Sequence, residues 1–262
     1  MTGLLDALGS ARVFDLEQLR YAGAPSHPAH QPGFNYFLHR HHARGAGEAR
    51  TSASGIVVMP EHSGTHIDAL AHQAENLTLH GGVHVDEGIQ TSVGFRVLGI
   101  DTMAPLVTRG VLLDVAGAKR LAPEHAITAD ELERTAKAAH VEIREGDAVL
   151  VRTGYGGLWS KPAEYLRGAG VSAAGSTWLI DKKVSAVGAD NMAWDVIGPT
   201  DPELGVTLPG HILLLVRAGI PIIENLNLEE LAAAGVHEFA FVCLPLKMRG
   251  ATGSPVRPIA LA

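Results

Sequence analysis

The sequence predicts a single α/β domain. Four apolar runs, Val111-Leu-Leu-Asp-Val, Ala148-Val-Leu-Val-Arg, Ala186-Val-Gly-Ala and Phe239-Ala-Phe-Val-Cys-Leu, read as buried strands. Segments with helix start and stop signals lie between them. No repeat, low-complexity stretch or linker divides residues 1–262. Strands and helices mixed along one uninterrupted chain are the α/β pattern.

Residues 1–12 read as a short helix or a frayed end, and Val13-Phe-Asp-Leu as a first short strand. Residues 21–47 form an irregular arm, rich in breakers: Pro25, Pro28, Pro32, Gly33, Gly45 and Gly47. Phe34, Tyr36 and Phe37 need cover there, either as the lining of a substrate pocket or against a neighbouring subunit. His39 to His42 read as a solvated polar stretch. Gly55-Ile-Val-Val-Met is a strand running into a His-rich segment, and Phe95-Arg-Val-Leu-Gly-Ile is another.

Thr128-Ala-Asp-Glu131 is a capping-box pattern opening a helix to about His140. Gly154, Gly156 and Gly157 make a loop that lacks the Gly-Lys-Ser/Thr of a phosphate loop. A short helix at 175–183 is expected to point Trp178 inward. The strand from Ala186 ends in Asp190-Asn-Met-Ala-Trp-Asp195, where the carboxylates are functional or simply turn formers. Pro209 to Arg217 reads as an apolar helix stopped by Gly219, and Pro221-Ile-Ile-Glu224 as a strand with a carboxylate at its end. Asn227 is expected to cap a last helix running to Ala234.

The chain is 46% hydrophobic and 19% charged, with a formal net charge of −7. The acidic balance and the lack of a Lys/Arg run argue against nucleic acid as a partner. No uninterrupted 18-residue apolar stretch and no signal-peptide pattern occur, so a cytoplasmic protein without membrane attachment is expected. The one cysteine, Cys243, excludes an internal disulfide framework and reads as core packing. A homodimer or higher homo-oligomer is expected, with the aromatic arm as a contact.

The chemistry concentrates in Glu61-His62-Ser63-Gly64-Thr65-His66-Ile67-Asp68-Ala69-Leu70-Ala71-His72. Five of the fourteen histidines (His62, His66, His72, His80 and His84) fall within 23 residues. An extended chain points His66 and Asp68 the same way, and a turn at Gly64 brings His62 round to them. Those three side chains suit a Zn²⁺- or Mn²⁺-like cation. His72 lies one helical turn beyond Asp68, close enough to exchange protons. His80 and His84 fit equally well as loop residues. His211 and Glu224 are structural if taken singly. If both face the motif, five potential ligands result and two metals can share the carboxylates.

Residues 62–72, HSGTHIDALAH, resemble the H-x-G-T-H-x-D-x-P-x-H signature of the cyclase family of metal-dependent hydrolases, whose members include bacterial kynurenine formamidase (arylformamidase) and isatin hydrolase. Leu70 stands where many members have Pro. Val187-Gly-Ala-Asp-Asn, Gly219-Ile-Pro-Ile-Ile-Glu-Asn-Leu and Leu244-Pro-Leu-Lys-Met-Arg-Gly-Ala-Thr-Gly-Ser-Pro extend the resemblance over about residues 50–262. It implies a mixed, barrel-like sheet flanked by helices, the family's swivelling β/β/α fold. It implies His62, His66 and Asp68 as metal ligands, His211 and Glu224 as further ligands, and His72 as proton donor and acceptor.

The expected function is therefore metal-dependent hydrolysis of a C–N bond in a small cyclic amide or N-acyl compound. Metal-bound hydroxide attacks, and His72 carries the proton. Isatin hydrolase-like ring opening leads, on the aromatic Phe34, Tyr36, Phe37 and Trp194. Arylformamidase activity is the alternative, and a lyase or cyclase acting on an enolisable carbonyl compound is another. One or two ions, Mn²⁺ or Zn²⁺, are expected.

Overall fold

The strand Leu106–Asp114 anchors a nine-stranded mixed sheet in a computed structural model that describes residues 2–43 and 47–262. Arg44, Gly45 and Ala46, part of the arm expected at 21–47, lie outside the described residues. On one side of the anchor the strands Ala148–Arg152, Ala186–Ala189 and Ile222–Glu224 follow in parallel. The antiparallel strands His66–Asp68 and Gly253–Pro255 complete that edge. On the other side Glu238–Cys243, Ile259–Leu261 and Val13–Asp15 are all antiparallel.

The strands were legible because both sheet faces are covered. Leu112, Leu150, Ala186 and Ile223 enter one apolar cluster, while Val111, Val149, Val187 and Ile222 enter the other. Neighbours along a strand alternate between the clusters, as the pleat requires. The helices Ala129–Ala138 and Ala173–Asp181 cover the second face through Leu132, Ala136 and Leu179. Thr128 forms the expected capping box with Glu131. Cys243 is buried, and burial pushes its thiol up to about 12. No helix among the described residues is long and apolar enough to cross a membrane.

Several elements differ from expectation. The arm is not irregular throughout: Asn35–Arg40 is a strand paired with Ser54–Val58 in a two-stranded hairpin outside the main sheet. The run from Gly55 is the strand expected ahead of the His-rich segment, and it is exposed, with Ile56, Val57 and Val58 each about half open to solvent. The Tyr36 ring lies over Gly55, where a Cβ would meet it 2.3 Å away and push the ring aside. The Phe95 stretch contributes only Gly94–Phe95 as strand and then turns, with Leu98 left-handed at φ 58°. Its Gly99 packs on Gly250, leaving no room for a strand's side chain. Trp178 is only partly buried, and Leu179 takes the inward position. Leu228, not Asn227, occupies the cap of the helix Glu229–Ala233. The helix begun at Pro209 makes one α turn and continues as a π-helix, Ile212–Ala218, ending at Gly219. Such wide turns are uncommon and often mark functional sites.

Candidate metal centre

The His-rich segment enters the sheet where the parallel strands end. His66 lies opposite Glu224 in the antiparallel register, and Ile67 opposite Ile223. The isoleucines point into the core, so His66 and Glu224 share the other face, with His66 Nε2 3.3 Å from Glu224 Oε2. The turn through 61–65 has Gly64 at φ 64°, as its place in the motif suggested. Arg20 holds this turn by donating to the carbonyls of Ser63 and Thr65. His62 swings round to Asp68, its Nδ1 2.8 Å from Oδ1. It needs Gly253 beside it, since a Cβ there would meet the His62 ring at 2.6 Å.

His211 comes from the helix start on the opposite wall. Its Nε2 lies 3.2 Å from Glu224 Oε1 and 3.7 Å from Asp68 Oδ2. Asp195 accepts from His211 Nδ1 at 2.8 Å and from the Gly210 amide at 2.7 Å. That bond fixes which nitrogen faces the centre. His66 is set in the same way, its Nδ1 donating to the Gly64 carbonyl at 2.8 Å. Asp68 therefore sits between two groups, one oxygen toward His62 and His66 and the other toward His211.

The donor set suits a cation. Asp68 Oδ2 is buried without a hydrogen-bond partner, and Glu224 Oε1 is buried with the His211 ring nitrogen 3.2 Å away at poor hydrogen-bond geometry. Leaving carboxylate oxygens so is costly unless positive charge meets them. His62, His66 and Asp68 form one group that could hold an ion, and Asp68, His72 and His211 another. Without a metal, the surroundings favour protonation of His66 and His211. Burial would lower the pKa of His66 and of His211, but hydrogen bonds and charge from Glu224, with Asp68 for His66 and Asp195 for His211, raise both. Burial alone would raise Asp68 and Glu224, yet the surrounding imidazoles hold both low. A metal must displace these protons, so its affinity rises with pH while His66 and His211 deprotonate. Calorimetric titration with Zn²⁺ in buffers of different ionisation enthalpy should show the release of up to about two protons per centre near neutral pH. Pre-formed neutral ligands would release none.

His72 follows on a tight turn, its amide donating to the Ala69 carbonyl at 2.9 Å. Its ring stacks on His62 at 4.0 Å. Burial, with the neighbouring His62 and His211, pushes it down to about 3. That lies far below an ordinary imidazole's value of about 6.5, so burial favours the neutral ring.

The aromatic residues expected to bind substrate are elsewhere. Trp194 is fully buried in the core, its indole N–H donated to Ser176 at 3.0 Å. Phe34 is partly buried, and Tyr36 and Phe37 stand exposed on the hairpin, 53% and 55% open. None of the four lines the cavities at the centre. His80 serves as structure, its ring bonded to the Val216 carbonyl at 2.9 Å. Sequence reasoning missed His27 and His30, which overhang the centre from the arm. The His30 ring stacks on His62 at 4.8 Å. Their spacing in a Pro-rich stretch carries no periodic signal that would have revealed them.

Two cavities meet at His30, His62 and His72. The smaller, about 230 Å³, opens on His66, His211 and Glu224. The larger, about 780 Å³, is walled by Met59, Phe95, Leu246, Met248 and Pro255. No Lys or Arg lines either one among the described residues.

The Cyclase family model matches residues 14–196. Isatin hydrolase from Roseibium aggregatum is 28% identical over 214 residues, covering 78% of this chain and 73% of that protein. Kynurenine formamidase from Polaromonas naphthalenivorans is 26% identical, covering 70% of this chain and 71% of that protein. A crystal structure of a novel cyclase superimposes with a TM-score of 0.85 at 26% identity, covering all of this chain and 90% of the other.

Proposed function

Because the chain belongs to the cyclase family, we propose that it opens the amide bond of a small, neutral cyclic amide of the isatin type. It is a metal-dependent hydrolase acting on carbon–nitrogen bonds, as its isatin hydrolase and kynurenine formamidase relatives are. One observation carries the reading: three imidazole nitrogens and two buried carboxylates converge beside a neutral His72.

His62, His66 and Asp68 would hold one ion, and His211, Glu224 and the second oxygen of Asp68 a further one. Zn²⁺ and Mn²⁺ both suit imidazole and carboxylate donors. A bound cation supplies Lewis acidity, polarising a carbonyl and lowering the pKa of water. His72 accepts the proton of the attacking water as the new C–O bond forms. It returns a proton to the amide nitrogen as the C–N bond breaks, leaving a carboxylate and an amine. His27 and His30 roof the centre and limit access of bulk water. Met59, Phe95, Leu246, Met248 and Pro255 offer a flat apolar substrate its contacts.

These residues replace the hairpin aromatics and Trp194 as the grounds for an aromatic substrate. The absence of Lys and Arg from the cavity walls, among the described residues, favours a neutral cyclic amide over N-formylkynurenine, whose amino-acid carboxylate would go unpaired. Metal-loaded protein should consume isatin, followed by absorbance, and chelation should stop it. Preferential turnover of N-formylkynurenine would shift the assignment to an arylformamidase.

The exposed hairpin supports a proposal about assembly. Tyr36, Phe37, Leu38, Ile56, Val57 and Val58 leave both its faces apolar. A lone two-stranded hairpin is at best marginally stable in water. A second copy of the chain would cover it. Wild type should then run as a dimer or larger in light scattering after size exclusion, and the double variant Phe37→Asp, Ile56→Lys as a smaller species. Identical masses would remove the hairpin from the interface.

A further inference from the structure

We infer that Glu61 and Thr252 are positioning residues that fix His62 as an Nδ1 donor, a role that rests on the metal-centre reading above. The direction of each hydrogen bond follows from its partners. Glu61 Oε1 lies 2.9 Å from the Thr252 amide nitrogen, which can only donate. The same oxygen meets the Thr252 hydroxyl. It is therefore the acceptor for both, and the hydroxyl proton points at Glu61. The lone pairs of Thr252 Oγ1 then face His62 Nε2, 2.9 Å away. Nε2 must carry a proton to make that bond, which leaves Nδ1 to present a lone pair.

Nδ1 is the nitrogen aimed into the centre, 2.8 Å from Asp68 Oδ1. In the neutral imidazole that lone pair meets a carboxylate oxygen 2.8 Å away, a pair of acceptors that a cation shared by both would reconcile. The other two imidazoles are set the opposite way. His66 is held through Nδ1 by Gly64, and His211 through Nδ1 by Asp195, so both present Nε2. His62 alone approaches edge-on through Nδ1, and Gly253 leaves the space that this orientation needs. The restraint reaches His62 from a residue distant in sequence, Glu61 and Thr252 being 191 apart. It also lies on the wall of the larger cavity, where both residues are partly exposed.

The test compares metal binding in Thr252→Val, Thr252→Ser, Glu61→Leu and Glu61→Gln with wild type, by calorimetric titration with Zn²⁺. Removing a group that orients a metal-binding histidine weakens affinity roughly 10–100-fold. Thr252→Val and Glu61→Leu should each do so, while Thr252→Ser and Glu61→Gln, which keep the hydroxyl and an acceptor oxygen, should stay within about 3-fold by the same logic. In Zn²⁺-loaded wild type labelled with ¹⁵N-histidine, His62 should show a protonated Nε2 and a metal-shifted Nδ1. This measurement stands even where a variant fails to fold. Zinc on Nε2 of His62, or unchanged affinity in a folded Thr252→Val, overturns the inference alone. Wild type that binds no Zn²⁺ overturns the metal-centre reading beneath it.

Discussion

His72→Ala should lower turnover about 10²–10⁴-fold, the usual contribution of a placed general acid–base group, while the protein keeps its full metal content. Unlike His62, His66 and His211, His72 is held by no carboxylate or carbonyl in a fixed bond; it stacks on His62 and closes a tight turn. Burial keeps it neutral, pushed down to about 3. An imidazole not committed to a fixed hydrogen bond is free to take a proton from water and return it to an amine-like nitrogen. Elemental analysis beside initial rates checks this. Metal lost with His72 would make it a ligand through the Asp68, His72 and His211 group. Wild-type rates would remove it from the reaction. Below neutral pH, activity should fall because protons compete with metal at His66 and His211, whose pKa values are raised, and not because His72 titrates. Excess Zn²⁺ should then extend activity to lower pH.

Asp68→Asn should abolish metal retention, with a loss of affinity above the roughly 10–100-fold that an outer partner costs. Asp68 places one oxygen toward His62 and His66 and the other toward His211, so it serves both halves of the centre. The amide keeps the shape and removes the charge. It also puts an N–H₂ donor where a second acceptor stood. Losing the negative charge withdraws the attraction that helps to raise His66, so that imidazole should titrate lower in the variant than in wild type. Equilibrium dialysis with Zn²⁺, and histidine titration by NMR, report the two effects separately. Retained stoichiometric metal would show that Glu224 with the imidazoles suffices.

The motif was readable because its histidines and aspartate lie close in sequence and strand geometry dictates which side chains share a face. His66 and Asp68 alternate with Ile67, and the pleat does the rest. The central strands were readable because burial on both faces leaves continuous apolar runs. The strand at Gly55 to Met59 was readable too, but its partner Asn35–Arg40 was taken as irregular arm, because sequence carries no mark of which strand it pairs with. Trp194 looked available because it lies next to Asp195, yet its ring turns into the core. Asp195, His30 and Thr252 act through tertiary contacts that no local pattern records. The π-turn after His211 escaped too, since its apolar spacing resembles that of an ordinary helix.

The sheet also has a consequence for the order of folding. Gly253–Pro255 lies beside His66–Asp68, and Ile259–Leu261 beside Val13–Asp15. The segment bearing His62, His66 and Asp68 thus waits for residues far later in the sequence, and contacts so remote form slowly. The geometry of residues 62–68 therefore depends on a strand about 190 positions later having docked, so the cluster should be among the last parts of the fold to take shape.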